Sequence, residues 1–240
     1  MATKRKTYRL NADVIEVEEY HDGRYGAPGM KRDKKKKATP EQIEKINQYN
    51  REKKARRLLR KYFKVKDYFS TWTYARDERP PDMETAKKQF AQAVRYIRKE
   101  YRKRGHELRW IRNIEVGSKG AWHIHVVVNR IQDTDLILSE AWKYGKVKNE
   151  LLYLKGEFAE LASYITKTPK TEKRLVEANY SSSRNMQQPQ PEVDKLKRWK
   201  KEVKPKKGFY IEKDTFREGI NPVTGYKYRS YTMIRLNRRI

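Results

Sequence analysis

Two histidines have the residue type and spacing of metal ligands. His123 and His125 lie two positions apart in WHIHVVV (Trp122 to Val128), whose β-branched residues predict a strand. Alternate residues of a strand point to the same face, so both imidazoles would point to one side of a sheet. A pair of hydrogen-bonded histidines in a β-sheet core is the other interpretation of this spacing.

The turn before this strand decides whether Glu115 joins the histidines. The segment LRWIRNIEV (Leu108 to Val116) predicts the preceding strand. A turn with an even number of residues would place Glu115 on the opposite face. The loop of residues 118–120 would instead pair Glu115 with His123, and it requires a left-handed third residue, which Gly120 can supply. The turn chemistry therefore favours a carboxylate opposite the two imidazoles.

Two imidazoles and one carboxylate with open coordination positions suit several divalent cations, namely Mn²⁺, Mg²⁺, Fe²⁺ and Zn²⁺. The chain has no cysteine, which excludes disulfides and thiolate-based zinc sites. A phosphate-containing partner favours a hard cation that tolerates nitrogen ligands. We therefore expect Mn²⁺ or Mg²⁺, which would polarise a phosphoryl oxygen.

A tyrosine and a lysine on a later predicted helix could supply a nucleophile and its assistant. The helix runs from about Glu157 to Thr168, is stopped by Pro169, and has a core stripe with helical spacing: Phe158, Leu161, Ala162 and Ile165. Tyr164 borders this stripe, and Lys167 follows one turn later on the same face. A phenol can attack phosphorus if a cation lowers its pKa or neutralises its charge, and Lys167 could do either. A boundary tyrosine followed by a surface lysine is also an ordinary structural pattern.

The elements around these residues predict an α+β domain with a mainly antiparallel sheet. YFSTWTY (Tyr68 to Tyr74) predicts a strand, and apolar residues recur every three or four positions over 83–101, which predicts a helix. The two hairpin strands follow, then a short helix over 133–142 capped by Asp133, and another strand in VKNELLYL (Val147 to Leu154). Hairpin-linked strands in the order β-α-β-β-α-β-α predict an antiparallel sheet with helices packed on it.

The sequence on either side of this domain is basic and polar. Residues 1–65 predict a basic N-terminal arm, with a helix that begins at Pro40. The folded domain would occupy residues 66–170. Residues 171–207, rich in Ser, Gln, Pro and Lys, predict a linker or long loop, and residues 208–240 predict a β-rich C-terminal extension.

The composition favours a polyanionic partner. The chain has 240 residues with 59 Lys and Arg against 31 Asp and Glu, a formal net charge of +28. Lys and Arg side chains that neutralise phosphates release condensed counterions, so nucleic acid is the first expectation. An anionic membrane would require a basic amphipathic helix with a coherent apolar face, which the sequence lacks. It also lacks a long apolar run and a signal-peptide pattern, so we expect a soluble protein that is not secreted.

Three segments resemble, in order, the motifs of the HUH endonucleases, the family of rolling-circle replication initiators, relaxases and related transposases. They are YFSTWTY, WHIHVVV and ASYITK (Ala162 to Lys167), and the resemblance covers residues 66 to about 170. It implies an HUH- and RRM-like fold in which Glu115 and the two histidines bind the metal. It also implies that Tyr164 attacks the scissile DNA phosphate with the assistance of Lys167. The products would be a 5′-phosphotyrosine link and a free 3′-hydroxyl.

The same resemblance implies a single-tyrosine initiator of the plasmid, phage or single-stranded-DNA-virus type. Thr168 stands where a second tyrosine would, and the sequence has no phosphate loop of a fused helicase. Its partners would be single-stranded DNA and an origin hairpin or duplex, with a separate host helicase and polymerase. We expect it in the cytoplasm of a bacterial host, encoded by a mobile element.

Two alternatives stay open. A transposase or relaxase of the same family would use the same chemistry on different DNA. A non-catalytic nucleic-acid-binding protein with a structural histidine pair would account for the charge, but not for a carboxylate beside that pair or for the Tyr-x-x-Lys helix that follows.

Overall fold

The computed structural model describes residues 3–21, 30–34, 37–152, 158–222 and 224–236. Within these ranges the chain alternates strands and helices in this order: β1 (Thr3–Arg9), β2 (Val14–His21), α1 (Pro40–Tyr62), β3 (Tyr68–Thr73), a 3₁₀ helix (Arg76–Glu78), α2 (Met83–Lys103), β4 (Trp110–Gly117), β5 (Trp122–Val128), α3 (Thr134–Ala141), β6 (Val147–Leu151), α4 (Ala159–Thr166), β7 (Leu175–Ser182), β8 (Glu192–Leu196), β9 (Phe209–Ile220) and β10 (Lys227–Arg235). None of the described helices combines the length and apolarity that crossing a bilayer requires.

These strands form two antiparallel five-stranded sheets, so the predicted α+β class with a mainly antiparallel sheet is confirmed. The chain divides into two compact units. We call residues 48–187 the central unit, and residues 1–47 together with 188–240 the flanking unit.

The sheet of the central unit has the strand order β6-β3-β5-β4-β7. The histidine-bearing strand β5 lies in its middle and pairs with β3 on one side and β4 on the other. One face packs against α2 and α3 through a cluster that includes Trp72, Ile114 and Ile124. The opposite face packs against α1 and α4 through Ile111 and Val127. The sheet is therefore held between two helical layers, and His123 and His125 point toward the layer that contains α4.

Helix α2 shows why the sequence predicted this core. Its predicted apolar stripe is buried: Met83, Ala86, Phe90, Ala93, Val94, Ile97 and Tyr101. The helix begins where the Asp82 carboxylate accepts a hydrogen bond from the Thr85 backbone amide at 2.7 Å. It ends before Gly105, whose φ of 75° suits a left-handed residue after a helix.

The hairpin between β4 and β5 has the predicted three-residue loop, because the Gly117 amide bonds the Ala121 carbonyl at 2.9 Å. Gly120 has a φ of 68°, the left-handed conformation that this loop type needs. As a result Glu115 pairs directly with His123. The register predicted from the turn is confirmed.

The flanking unit contains strands where the sequence predicted an arm and a linker. Strands β1 and β2 lie in the range predicted as a basic arm, while β7 and β8 lie in the range predicted as a linker. In β2 the alternating residues Ile15 and Val17 are buried, but Glu19 continues the same face and is also buried, paired with Arg229. This buried ion pair hides the apolar alternation that identifies a strand.

The helix predicted within residues 1–65 is present as α1, and it begins at Pro40 as predicted. The last predicted strand of the central unit, Val147 to Leu154, appears as β6, which ends at Leu151. Its final residues, 153 and 154, and the predicted helix start at Glu157 lie outside the described residues.

Candidate metal centre

Strand pairing collects the predicted ligands on one face of the central sheet. Paired residues of antiparallel strands share a face, and His125 pairs with Thr71 of β3 while His123 pairs with Glu115 of β4. The ligand atoms of Glu115, His123 and His125 all lie within 4.8 Å of one another. The structure thus brings together the three residues that the sequence predicted as metal ligands.

Glu115 is the charged centre of this group and is buried, with an exposed fraction of 4%. Its Oε1 lies 2.7 Å from His125 Nε2, and its Oε2 forms an ion pair with Lys167 Nζ at 2.9 Å. Burial by itself would raise the pKa of Glu115, but the contacts with His125 and Lys167 outweigh it and hold that pKa below its usual value. The carboxylate is therefore ionised at neutral pH and available to bind a cation.

The two imidazoles are held in fixed positions. His125 Nδ1 lies 3.2 Å from Thr71 Oγ1, and its ring stacks on Phe69 with an interplanar angle of 2°. Burial lowers the pKa of His123, and the neighbouring His125 lowers it further. A neutral imidazole is the form that binds metal ions, so this environment suits a ligand.

Tyr164 projects from α4 onto the same site. Its hydroxyl lies 3.1 Å from His125 Nε2, and its ring meets the edges of both the His125 and Phe69 rings. The side chain keeps an exposed fraction of 41%, so solvent and a ligand can reach it. Burial, with the Glu115 carboxylate nearby, raises the pKa of Tyr164 to about 12. The phenol is therefore protonated at neutral pH unless a further cation stabilises its anion.

Lys167 lies just beyond α4, which corrects the prediction that it continues the helix one turn after Tyr164. The helix ends at Thr166, and Lys167 has an extended ψ of 150°. The proline at 169 disfavours helical geometry at the residue before it and so sets an early helix end. The lysine still meets its predicted neighbour, because its Nζ lies 4.1 Å from the centre of the Tyr164 ring.

The remaining predictions for α4 agree with the structure. Phe158, Ala162 and Ile165 of the predicted stripe are buried, and Leu161 packs against the same cluster. This stripe anchors the helix on the sheet and fixes the direction in which Tyr164 points.

The donor set fits a divalent cation. Two imidazole nitrogens and a carboxylate oxygen converge from adjacent strands, and this combination with open positions is typical of Mn²⁺, Fe²⁺, Zn²⁺ or Mg²⁺ sites. The geometry therefore makes Glu115, His123 and His125 a candidate metal-binding group.

Sequence analysis did not identify Phe69 and Thr71 as parts of this site. Both lie on β3 at alternate positions, and β3 pairs with β5 so that Thr71 is directly opposite His125. Their spacing of two was visible in YFSTWTY, but the register between two strands that are far apart in sequence was not.

Comparison with known proteins gives one family match. Residues 67–169 match the model of the family described as Replication-associated protein ORF2. Neither the curated proteins nor the solved structures gave a match. The matched segment contains β3, β5 and α4, which carry Thr71, the histidines and Tyr164. The part of the chain that builds the candidate site is therefore similar to replication-associated proteins, which is consistent with a replication initiator that interacts with nucleic acid.

Proposed function

We propose that the protein initiates rolling-circle replication by nicking single-stranded origin DNA through a tyrosine transesterification. One observation carries the proposal: the hydroxyl of a solvent-accessible tyrosine, Tyr164, lies 3.1 Å from Nε2 of a candidate metal ligand, His125. The match of this segment to a replication-associated family supports DNA as the substrate.

In this proposal Glu115, His123 and His125 hold Mn²⁺ or Mg²⁺, which when bound polarises a phosphoryl oxygen of the scissile phosphate. His125 can donate the Nδ1 proton to Thr71 Oγ1 at 3.2 Å, which leaves Nε2 unprotonated as a ligand atom. The partly buried setting limits competing water and strengthens the electrostatic interactions within the site.

Tyr164 is the proposed nucleophile. Its phenolic oxygen forms a bond to phosphorus, and the bond between phosphorus and the 3′-oxygen of the preceding nucleotide breaks. The phenol loses a proton and the departing oxygen gains one, so the products are a 5′-phosphotyrosine link and a free 3′-hydroxyl. One phosphodiester replaces another, so neither water nor ATP is consumed. Attack of a 3′-hydroxyl on the phosphotyrosine would rejoin strands by the reverse steps.

Lys167 assists in two ways. Its ammonium lies 4.1 Å from the centre of the Tyr164 ring, where it stabilises negative charge on the phenol oxygen as the proton leaves. Its ion pair with Glu115 holds the carboxylate in place beside His125. Because the pKa of Tyr164 is raised to about 12, the reaction requires such cationic assistance at neutral pH.

Incubation with labelled oligonucleotides tests this function. A pool labelled at either the 5′ or the 3′ end is mixed with the protein in Mn²⁺ or in EDTA. We expect a protein–DNA adduct that survives denaturation, requires Mn²⁺ and retains only the 3′-end label. The Tyr164→Phe variant should form none while still binding DNA.

The Tyr96→Phe variant is the matched control, since Tyr96 is also an exposed tyrosine of the central unit, with an exposed fraction of 39%. It should form the adduct as the unaltered protein does. Adduct formation by Tyr164→Phe would contradict the assignment of the nucleophile. An adduct that retains the 5′-end label would contradict the proposed polarity.

A further inference from the structure

One face of the flanking sheet carries two tyrosines and two lysines in a single row across four strands. Tyr228 of β10 pairs with Tyr20 of β2, Tyr20 pairs with Lys4 of β1, and Lys4 pairs with Lys195 of β8. Directly paired residues of antiparallel strands project to the same face. Neighbouring strands are about 4.8 Å apart, so the row spans about 14 Å.

The Tyr228 ring lies against the sheet rather than standing on it. Its partner on the edge strand β9 is Gly219, and a Cβ atom at Gly219 would come within 3.2 Å of ring atom Cε1. The missing side chain lets the ring cover the glycine, and the tyrosine keeps an exposed fraction of 39%. One ring face therefore rests on the sheet and the other is open to solvent.

Cations surround these rings. Lys6 Nζ lies 5.1 Å from the centre of the Tyr20 ring, and Arg217 occupies the next position of β9 on this face. Among the side chains of this row and the next, Lys4, Lys6, Lys195 and Arg217 are basic, whereas Glu18 is acidic. An excess of positive charge beside open aromatic faces complements a chain that carries both phosphates and unpaired bases.

The accessible part of this face is limited to these two rows. Farther along the strands, Tyr8 and Glu16 are buried, each with an exposed fraction of 6% or less. The opposite face is also closed, because Trp199 lies over Arg229 and a cluster that includes Tyr231 and Met233 fills it. The tyrosines and lysines are therefore gathered at one open end of the sheet.

We propose that this surface, made of Tyr20, Tyr228, Lys4, Lys6 and Lys195 and called the tyrosine–lysine face, binds single-stranded DNA without metal. The rings stack bases while the ammonium groups contact phosphates. A duplex does not satisfy the face, because its bases are already stacked on one another. The choice of DNA rests on the proposed function, whereas the preference for single strands rests on the exposed rings.

Fluorescence anisotropy with a labelled oligothymidylate in EDTA tests this proposal, because EDTA removes any contribution from the metal centre. We expect Tyr20→Ala and Tyr228→Ala each to weaken binding by about tenfold, since stacking of a base on an aromatic ring contributes about 1–3 kcal/mol. Tyr228→Phe should bind like the unaltered protein, because the ring face is retained. Binding of a duplex should not change in any of these variants.

Two further variants separate stacking from folding. Gly219→Val keeps both tyrosines and suits a strand, but its side chain displaces the Tyr228 ring, so it should weaken binding as Tyr228→Ala does. Tyr210→Ala is the matched control, because Tyr210 is an exposed tyrosine of the same unit, nine positions from Gly219 on β9. It should leave binding unchanged. Thermal unfolding followed by circular dichroism checks that each variant is folded.

Unchanged single-strand binding by folded Tyr20→Ala and Tyr228→Ala variants would overturn the proposal. Equal weakening of single-strand and duplex binding would also overturn it, since that result indicates charge without stacking. The outcome is independent of nicking, because no adduct is measured in EDTA. An unaltered protein that forms no adduct in Mn²⁺ but loses binding in these variants would contradict the proposed function and leave the tyrosine–lysine face supported.

Discussion

The hydroxyl of Thr71 determines which nitrogen of His125 can bind a cation. It lies 3.2 Å from Nδ1, so it favours the tautomer that has its proton on Nδ1 and a free lone pair on Nε2. Nε2 is the atom that faces both the Glu115 carboxylate and the Tyr164 hydroxyl. The alternation of Phe69 and Thr71 in the sequence did not reveal this role, because it depends on a strand register set by the fold.

We therefore predict that Thr71→Val weakens Mn²⁺ binding by about 10–100-fold, the usual effect of losing a partner that orients a metal ligand. Valine has nearly the same shape, so the packing around His125 should be retained. Thr71→Ser keeps the hydroxyl and should bind Mn²⁺ normally. Isothermal titration calorimetry measures both affinities, and equal affinities of the Val and Ser variants would refute the role of the hydroxyl.

Lys167 is expected to act on the rate of the reaction rather than on metal binding. Its Nζ contacts Glu115 Oε2 at 2.9 Å and lies over the Tyr164 ring. The Lys167→Met variant should slow adduct formation by about 100-fold or more, the range typical of lost charge stabilisation at a reacting group. Its Mn²⁺ affinity should not fall, because the lysine competes for the carboxylate that binds the cation.

Single-turnover measurements with saturating DNA give this rate. Lys173→Met is the control, since Lys173 is an exposed lysine on the segment that follows α4. A rate in Lys167→Met equal to that of the control variant would show that the lysine has no part in the chemistry.

At the scale of elements, the β4–β5 hairpin converts a turn sequence into a metal site. Gly120 at a φ of 68° closes the three-residue loop, and that loop places Glu115 opposite His123. The register was predictable because the turn is local. The position of Lys167 was not, because the point where α4 ends depends on competition between helical spacing and the proline that follows.

Gly120→Ala should destabilise the protein by about 1–2 kcal/mol, the usual free-energy cost of a left-handed conformation for a residue with a side chain. The cost is conformational rather than steric, because a Cβ at Gly120 meets nothing within 4 Å. Gly117→Ala, at a position without positive φ, is the matched control and should cost less. Urea unfolding measures both, and equal destabilisation would contradict this account of the turn.

The strands of the flanking unit illustrate why part of the fold was not predictable. Strand β2 contains alternating apolar residues, yet Glu19 sits on its buried face because Arg229 of β10, 210 positions away, neutralises it. A sequence pattern treats such a glutamate as exposed. Pairing between the two ends of the chain joined an arm and an extension that the sequence analysis treated as separate.

At the scale of the whole molecule, the net charge of +28 determines how the protein responds to salt. Contacts between basic side chains and phosphates release counterions, so the binding constant for single-stranded DNA should fall linearly with salt on logarithmic axes. For six phosphate contacts, we expect a loss of about 300-fold between 50 mM and 200 mM salt. Anisotropy titrations over this range measure the slope, and a binding constant that does not depend on salt would contradict an electrostatic interface.

The identity of the residue that becomes attached to DNA tests the central claim most directly. The protein is incubated with Mn²⁺ and a cleavable single-stranded oligonucleotide, digested, and analysed by mass spectrometry for peptides that carry nucleotide mass. The account predicts one modified peptide, with the nucleotide on Tyr164, and none in EDTA. Attachment at another residue, or cleavage of the DNA without any modified peptide, would contradict it.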